Sequence, residues 1–93
     1  MICSRGGNKL AFAMPTVFIQ DGYRVSFYSY DLAEQMHVHV FKAGHECKIW
    51  LDDLALAFNR GFKPHAVAEI RRMISERRAE IVERWLEHGR NEN

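Results

Sequence analysis

The sequence contains few cysteines, few prolines and no long hydrophobic run. Its two cysteines, Cys3 and Cys47, form no Cys-x-x-Cys pair, which argues against a zinc knuckle and a disulfide framework. A membrane-spanning helix needs about 18 or more consecutive apolar residues, and no such segment occurs. The first thirteen residues also lack the apolar core of a signal peptide. These absences predict a cytoplasmic protein with no membrane contact.

An excess of charge of one sign is also absent. Thirteen Lys and Arg residues stand against twelve Asp and Glu residues, for a net charge of +1. A balanced charge gives no general attraction to nucleic acid, so any basic patch has to be local. The phosphate-binding loop, the Gly-x-Ser-x-Gly elbow and the His-Glu-x-x-His zinc motif are all missing. We therefore predict no cofactor.

The chain of 93 residues is long enough for one compact domain and too short for two. Residues 1–13 contain Gly6, Gly7 and Asn8, and we expect them to be a disordered leader or a start-site artefact, with Met14 as the alternative start. Residues 14–89 are expected to form a single α+β domain. Residues 90–93 are expected to be a frayed tail.

Two strong turn signals predict two β-hairpins. Asp21-Gly22 separates the β-branched and aromatic segments 15–20 and 23–29, and Ala43-Gly44 separates the segments 36–42 and 45–51. A two-residue loop at Ala43-Gly44 sets the strand pairing, because Lys42 then lies opposite His45. The register is testable, since it must place the apolar residues on one face.

This register sorts the second hairpin into an apolar face and a polar face. The apolar pairs are Met36 with Leu51, Val38 with Ile49, and Val40 with Cys47. The opposite pairs are His37 with Trp50, His39 with Lys48, and Phe41 with Glu46. His37 and His39 are therefore predicted to point away from the core.

The remainder of the chain predicts a further strand and a helix. Residues 52–62 favour a fifth strand, with a short helix capped by Asp52 or Asp53 as the alternative. Pro64 suits the first turn of a helix, and apolar residues recur at helical spacing from Val67 to Trp85 before Gly89. The predicted fold is α+β: an antiparallel sheet of four to five strands with one long C-terminal helix packed on one face.

The polar face carries residue types that are common in binding surfaces. We predict that it contacts a small protein partner, since aromatic and arginine side chains dominate interface hot spots. Packing of these aromatic residues under a loop or the leader is the second interpretation. A second copy of the chain is an alternative partner, and single-stranded nucleic acid is a weaker one. The predicted partner-binding residues are Arg24, Tyr28, His37, His39, Phe41 and Trp50.

Catalysis at the two histidines is the alternative function. A small ribonuclease or a metal-assisted phosphodiesterase needs only a few acid, base or cationic groups near the scissile phosphate. The catalytic candidates are His37, His39, Arg24, Tyr28 and Lys48. His37, His39 and Glu46 are weak metal-ligand candidates, because imidazoles at i and i+2 share one side of a strand while Lys48 would repel a cation. We favour surface imidazoles that titrate or form hydrogen bonds over a metal site.

Five landmarks follow one another along the chain: "MPTVF" (14–18), "GYRVSFYSYD" (22–31), "HVHVFKAGHECKIWL" (37–51), "GFKP" (61–64) and a terminal helix with Trp85. In this order they resemble a family of small bacterial proteins, domain of unknown function 4160. The resemblance implies a small α+β fold. It also implies a neighbouring gene for a second small protein, an arrangement like that of toxin–antitoxin pairs.

The resemblance carries no known activity to individual residues. His37, His39, Gly44, Lys48, Trp50 and Leu51 match positions of the family pattern. Met36 stands where the family commonly has a proline, so the entry into the third strand is expected to differ.

Overall fold

The computed structural model describes residues 16–28 and 33–92, with side chains to Arg90. The elements are β1 (Thr16–Gln20), β2 (Tyr23–Ser26), β3 (His37–Lys42), β4 (His45–Trp50), β5 (Leu56–Arg60), α1 (Pro64–Glu76) and α2 (Arg78–Glu92). The strands form one antiparallel sheet in chain order. This confirms the predicted α+β class and the five-stranded sheet. The predicted leader, residues 1–13, lies outside the described residues.

Both predicted hairpin turns are present. Asp21 and Gly22 have φ values of 51° and 83°, and Ala43 and Gly44 have 51° and 82°. Two successive residues in the left-handed region are the mark of the two-residue turn that matches the twist of antiparallel strands. The turns therefore fix the strand pairing on either side of them.

The predicted register of the second hairpin is confirmed. Lys42 pairs with His45, Val38 with Ile49, and His37 with Trp50. We call the face with Val25, Val38, Val40, Cys47 and Ile49 the inner face. Each of these five residues is fully buried, and they form one core cluster with the apolar residues of both helices.

The segment before β5 forms a turn and not a helix. Asp53 Oδ1 accepts a hydrogen bond from the amide of Ala55 at 2.9 Å, and Leu54 has a positive φ of 61°. Aspartate side chains commonly close such turns by bonding the backbone two residues on. The chain then enters β5, so the strand interpretation of this region is confirmed.

The prediction of one long helix is wrong, because the helix is interrupted at Arg77. Arg77 has φ −114° and ψ 20°, and its amide is shared between the carbonyls of Met73 and Ile74 at 3.2 Å each. Its guanidinium lies 3.5 Å from the centre of the Phe18 ring and donates to Gln20 Oε1 at 3.0 Å. These contacts with β1 stabilise the interruption.

The two helices take different paths over the inner face. α1 starts beside the end of β5 and crosses toward β1, since Glu69 meets Tyr23 of β2 and Arg77 meets Gln20 of β1. α2 then reaches the end of the sheet where β3 begins, with Trp85 next to Phe27. It continues to Glu92, so Gly89 does not end it as the sequence predicted.

None of the helices in the described part of the chain is both long and apolar enough to cross a membrane.

Candidate functional site

The face of the sheet opposite the core holds the predicted site residues, and we call it the outer face. Strand pairing arranges it in rows that run across the sheet. One row is Arg24, Phe41, Glu46 and Arg60; the next is Ser26, His39, Lys48 and Phe58; the third is His37 and Trp50. The sequence therefore assigned the correct face to the outward residues of β3 and β4, namely His37, His39, Phe41, Glu46, Lys48 and Trp50.

The expected exposure of the two histidines is wrong. His37 is 0% exposed and His39 is 6% exposed. The His37 ring lies 5.5 Å from Trp50 and 5.3 Å from Trp85, between centres. The contact with Trp85 requires α2 to reach this end of the sheet, which strand periodicity does not reveal.

Aromatic side chains also enclose His39. Its ring centre lies 4.6 Å from Tyr28, 6.1 Å from Phe58 and 5.3 Å from His37. Phe58 belongs to β5, whose assignment was left open by the sequence. As a result, neither histidine is an accessible anchor for a partner.

Each imidazole is oriented through its Nδ1 atom. His37 Nδ1 donates to the carbonyl oxygen of Gln35 at 2.8 Å, and His39 Nδ1 donates to Glu46 Oε2 at 3.1 Å. The donor role follows from the partners, since a carbonyl or carboxylate oxygen only accepts. In a neutral ring this tautomer puts the lone pair on Nε2, the arrangement that holds catalytic and metal-binding histidines in position.

The third metal-ligand candidate, Glu46, makes two other contacts. Glu46 accepts from His39 and also lies 3.7 Å from Arg60 Nη1, so it orients an imidazole and pairs with a cation. Residues 16–28 and 33–92 contain no group of three His, Cys, Asp or Glu side chains placed to hold a metal ion. The structure thus brings His37 and His39 together without completing a metal site.

The predicted repulsion from Lys48 is largely relieved. Its ammonium lies 3.2 Å from Glu34 Oε1 and 4.6 Å from the centre of the Trp50 ring. The same Glu34 oxygen lies 3.9 Å from His37 Nδ1, so this carboxylate offsets the Lys48 charge beside the histidine pair.

The accessible part of the outer face is a set of cation–aromatic pairs. Arg24 lies 4.9 Å from the Phe41 ring centre, and Arg60 lies 5.0 Å from that of Phe58. Together with Lys48 over Trp50, they alternate positive groups and half-buried rings across four strands, β2 to β5. Phe58 and Arg60 were missed, although pairing β5 with β4 would have placed both on this face.

Comparison with known proteins identifies the family. The model described as "Domain of unknown function (DUF4160)" matches residues 22–86. No curated protein matches the chain, and no solved structure matches it. The matched segment contains the second strand of the first hairpin, the whole histidine-bearing hairpin and most of both helices. The chain therefore belongs to the DUF4160 family.

Proposed function

We propose that this protein is a small cytoplasmic binding module whose outer face docks a small protein partner encoded beside it, as in toxin–antitoxin-like pairs. The observation that supports the proposal is the set of three cation–aromatic pairs formed by Arg24 with Phe41, Lys48 with Trp50, and Arg60 with Phe58. Aromatic and arginine side chains supply most of the energy in protein interfaces.

The buried histidines act in this proposal as supports for the contact residues. The His37 ring packs edge-on to Trp50, and the His39 ring stacks over Phe41 with an angle of 17° between planes. The hydrogen bonds to Gln35 and Glu46 hold both imidazoles in place. Rings held in this way lose little conformational freedom on binding, which favours affinity.

Copurification with the product of the adjacent gene, followed by calorimetry, tests the proposal. Arg24→Ala and Trp50→Ala should each weaken binding about 30-fold, the loss of about 2 kcal/mol typical of a central anchor. Lys63→Ala, an exposed lysine at the start of α1, is the matched control and should bind as the wild type does. Failure of the two proteins to associate, or binding that is unchanged in both anchor variants, would contradict it.

A second candidate function is cleavage of RNA or another phosphodiester by His37 and His39. The observation that favours it is that both Nδ1 atoms are held as donors, with ring centres 5.3 Å apart. The burial of both rings counts against it, because a general base must come within about 3 Å of the proton that it removes.

Cleavage assays separate this candidate from the first. Wild-type protein and a His37→Ala, His39→Ala double variant would be incubated with labelled RNA, with and without zinc. We expect no cleavage by either protein. Cleavage by the wild type that the double variant lacks would establish the enzyme instead.

A further inference from the structure

A cavity of about 340 Å³ opens on the side of the molecule away from the outer face. It lies between the ends of the two hairpins and the start of α1. Its lining is mostly apolar and includes Tyr23, Phe62 and Ala66, together with the basic residues Lys42, His45 and Lys63. Its volume falls at the small end of the range for ligand pockets. None of the outer-face residues takes part in it.

The aromatic walls of the cavity are held in fixed positions. The Tyr23 and Phe62 ring centres are 6.0 Å apart, and His45 lies edge-on to Phe62 at 5.5 Å. Tyr23 is 4% exposed and its hydroxyl donates to Glu69 at 2.7 Å. A flat ring could pack against such walls without reorganising them, which keeps the entropic cost of binding low.

The cavity also presents positive charge. The Lys42 ammonium lies 4.4 Å from the Tyr23 ring centre and donates one hydrogen bond, at 2.9 Å, to the backbone oxygen of Asp21. An ammonium has three donors, so it can contact an anion as well. Lys63, the residue before α1, is exposed at the same opening.

One carboxylate lies beside these walls. Glu69 accepts the hydrogen bond from Tyr23, and this bond, with smaller contributions from His65 and Lys42, lowers the pKa of the Glu69 carboxyl below its usual value. By contrast, the first turn of α1 contains no acidic residue and no side chain caps it. The amides of a first helical turn have no partner within the helix, so they add to the preference for an anion.

From these observations we infer that the cavity binds a small organic anion, in which a flat apolar ring carries a phosphate or a carboxylate group. The ring packs against Tyr23 and Phe62. The anionic group lies between Lys42 and Lys63 at the start of α1. This inference is independent of the proposed partner docking, which uses the opposite face of the sheet.

Titration with four simple probes, followed by amide NMR, tests the inference. Phenyl phosphate and benzoate supply both ring and charge, whereas inorganic phosphate and benzyl alcohol each lack one of them. We expect saturable shifts of the Gly61, Lys63 and Ala66 amides with phenyl phosphate or benzoate. The two incomplete probes should bind at least tenfold more weakly, and the tighter of the complete probes identifies the anionic group.

Charge variants complete the test. Lys63→Gln should weaken binding of the better probe at least fivefold, since it removes a charge at the opening and leaves the core intact. Lys48→Gln, on the outer face, is the matched control and should leave the affinity unchanged. Absence of saturation with both complete probes, equal binding of benzyl alcohol, or equal affinity in the Lys63 variant would each overturn the inference.

Discussion

Gly61 has no side chain, and this leaves room for the imidazole of His45. It has a φ of 106°, and a Cβ atom built on it would collide with Nδ1 of His45, a wall of the cavity. Gly44 also has a positive φ, 82°, but a Cβ there would meet nothing within 4 Å. Alanine substitutions at the two positions can therefore separate the energetic cost of backbone strain from the cost of a steric clash.

We expect Gly61→Ala to destabilise the protein more than Gly44→Ala does. The strain of a positive φ should cost each variant about 1–2 kcal/mol, and the displacement of His45 should add about 1 kcal/mol or more to the first. Urea unfolding measures both values. Equal losses in the two variants would show that the contact with His45 has no energetic weight.

Tyr23 makes the protein sensitive to alkali. Burial, together with the hydrogen bond to Glu69, raises the pKa of its hydroxyl from 10.0 to about 12. Above pH 10 the folded state thus retains a proton that the unfolded state loses. The contribution of Tyr23 to the stability of the fold is therefore complete below pH 10 and disappears as the pH rises to 12.

We expect the loss of the Tyr23 contribution to lower the free energy of unfolding by up to about 2.7 kcal/mol between pH 10 and pH 12. Screening of the Glu69 carboxylate by water makes this loss smaller. Thermal unfolding of the wild type and Tyr23→Phe between pH 9 and pH 12 measures it. The phenylalanine variant should be less stable at pH 9 and should lose less stability with rising pH. Parallel curves for the two proteins would contradict the assignment.

At the scale of single residues, the sequence placed the histidines on the correct face but gave the wrong exposure. Alternation along β3 determines the face, because side chains of a strand point in alternate directions. Exposure depends on which other side chains pack around the residue, including those that reach it from the end of the sheet. For His37 this includes Trp85, which is distant in the chain and lies on α2.

At the scale of elements, the second hairpin was predictable because its turn is short. A two-residue loop leaves one register, and a shift by one residue would place every apolar side chain of the hairpin on the other face. The observed pairing of Val40 with Cys47 and of His39 with Lys48 follows directly from the Ala43-Gly44 turn.

Two substitutions on neighbouring positions of β4 test this register. Ile49→Asp should unfold the domain, because Ile49 is 0% exposed and an unpaired carboxylate would enter the core. Lys48→Ala should cost less than about 1 kcal/mol, since its partners Glu34 and Trp50 lie at the surface. Thermal melting of both variants is the measurement. Similar melting temperatures would contradict the register.

The interruption at Arg77 was not predictable from the same kind of evidence. Residues 64–92 have helical periodicity throughout, with no glycine or proline near Arg77 to mark a boundary. The break is stabilised by partners on β1, Phe18 and Gln20, more than fifty positions away in the chain. Hydrophobic periodicity is a property of a single helix or strand, whereas these contacts join Arg77 to a different element, β1.

At the scale of the whole molecule, one core joins the sheet and the helices. Cys47 lies in it with 0% exposure. Burial, with a smaller effect of Glu46, raises the pKa of its thiol from 9.0 to about 12. Since the thiolate is the reactive form, the folded protein should protect this residue both sterically and chemically.

Thiol labelling therefore reports unfolding of the whole domain. In a Cys3→Ser background, Cys47 should not react with a disulfide reagent at pH 8 until urea unfolds the sheet. The labelled fraction should follow the loss of circular dichroism. Rapid labelling under native conditions would show that β4 opens locally, at a lower free energy than global unfolding.

The candidate surface was predicted in part. The two histidines are buried, whereas the other predicted residues are half-buried, namely Arg24, Tyr28, Phe41, Lys48 and Trp50. The cavity beside α1 was not predicted at all. Its walls come from the hairpin ends and from the start of the helix, which only the packing of α1 on the sheet brings together.

The sequence by itself determined the strands, their turns and their faces, because these depend on alternation and on the backbone preferences of a few adjacent residues. The tertiary structure decided where the helix breaks, which outer-face residues are buried and where a cavity forms. Each of these depends on contacts between segments far apart in the chain, and the periodicity of a single segment does not reveal such contacts.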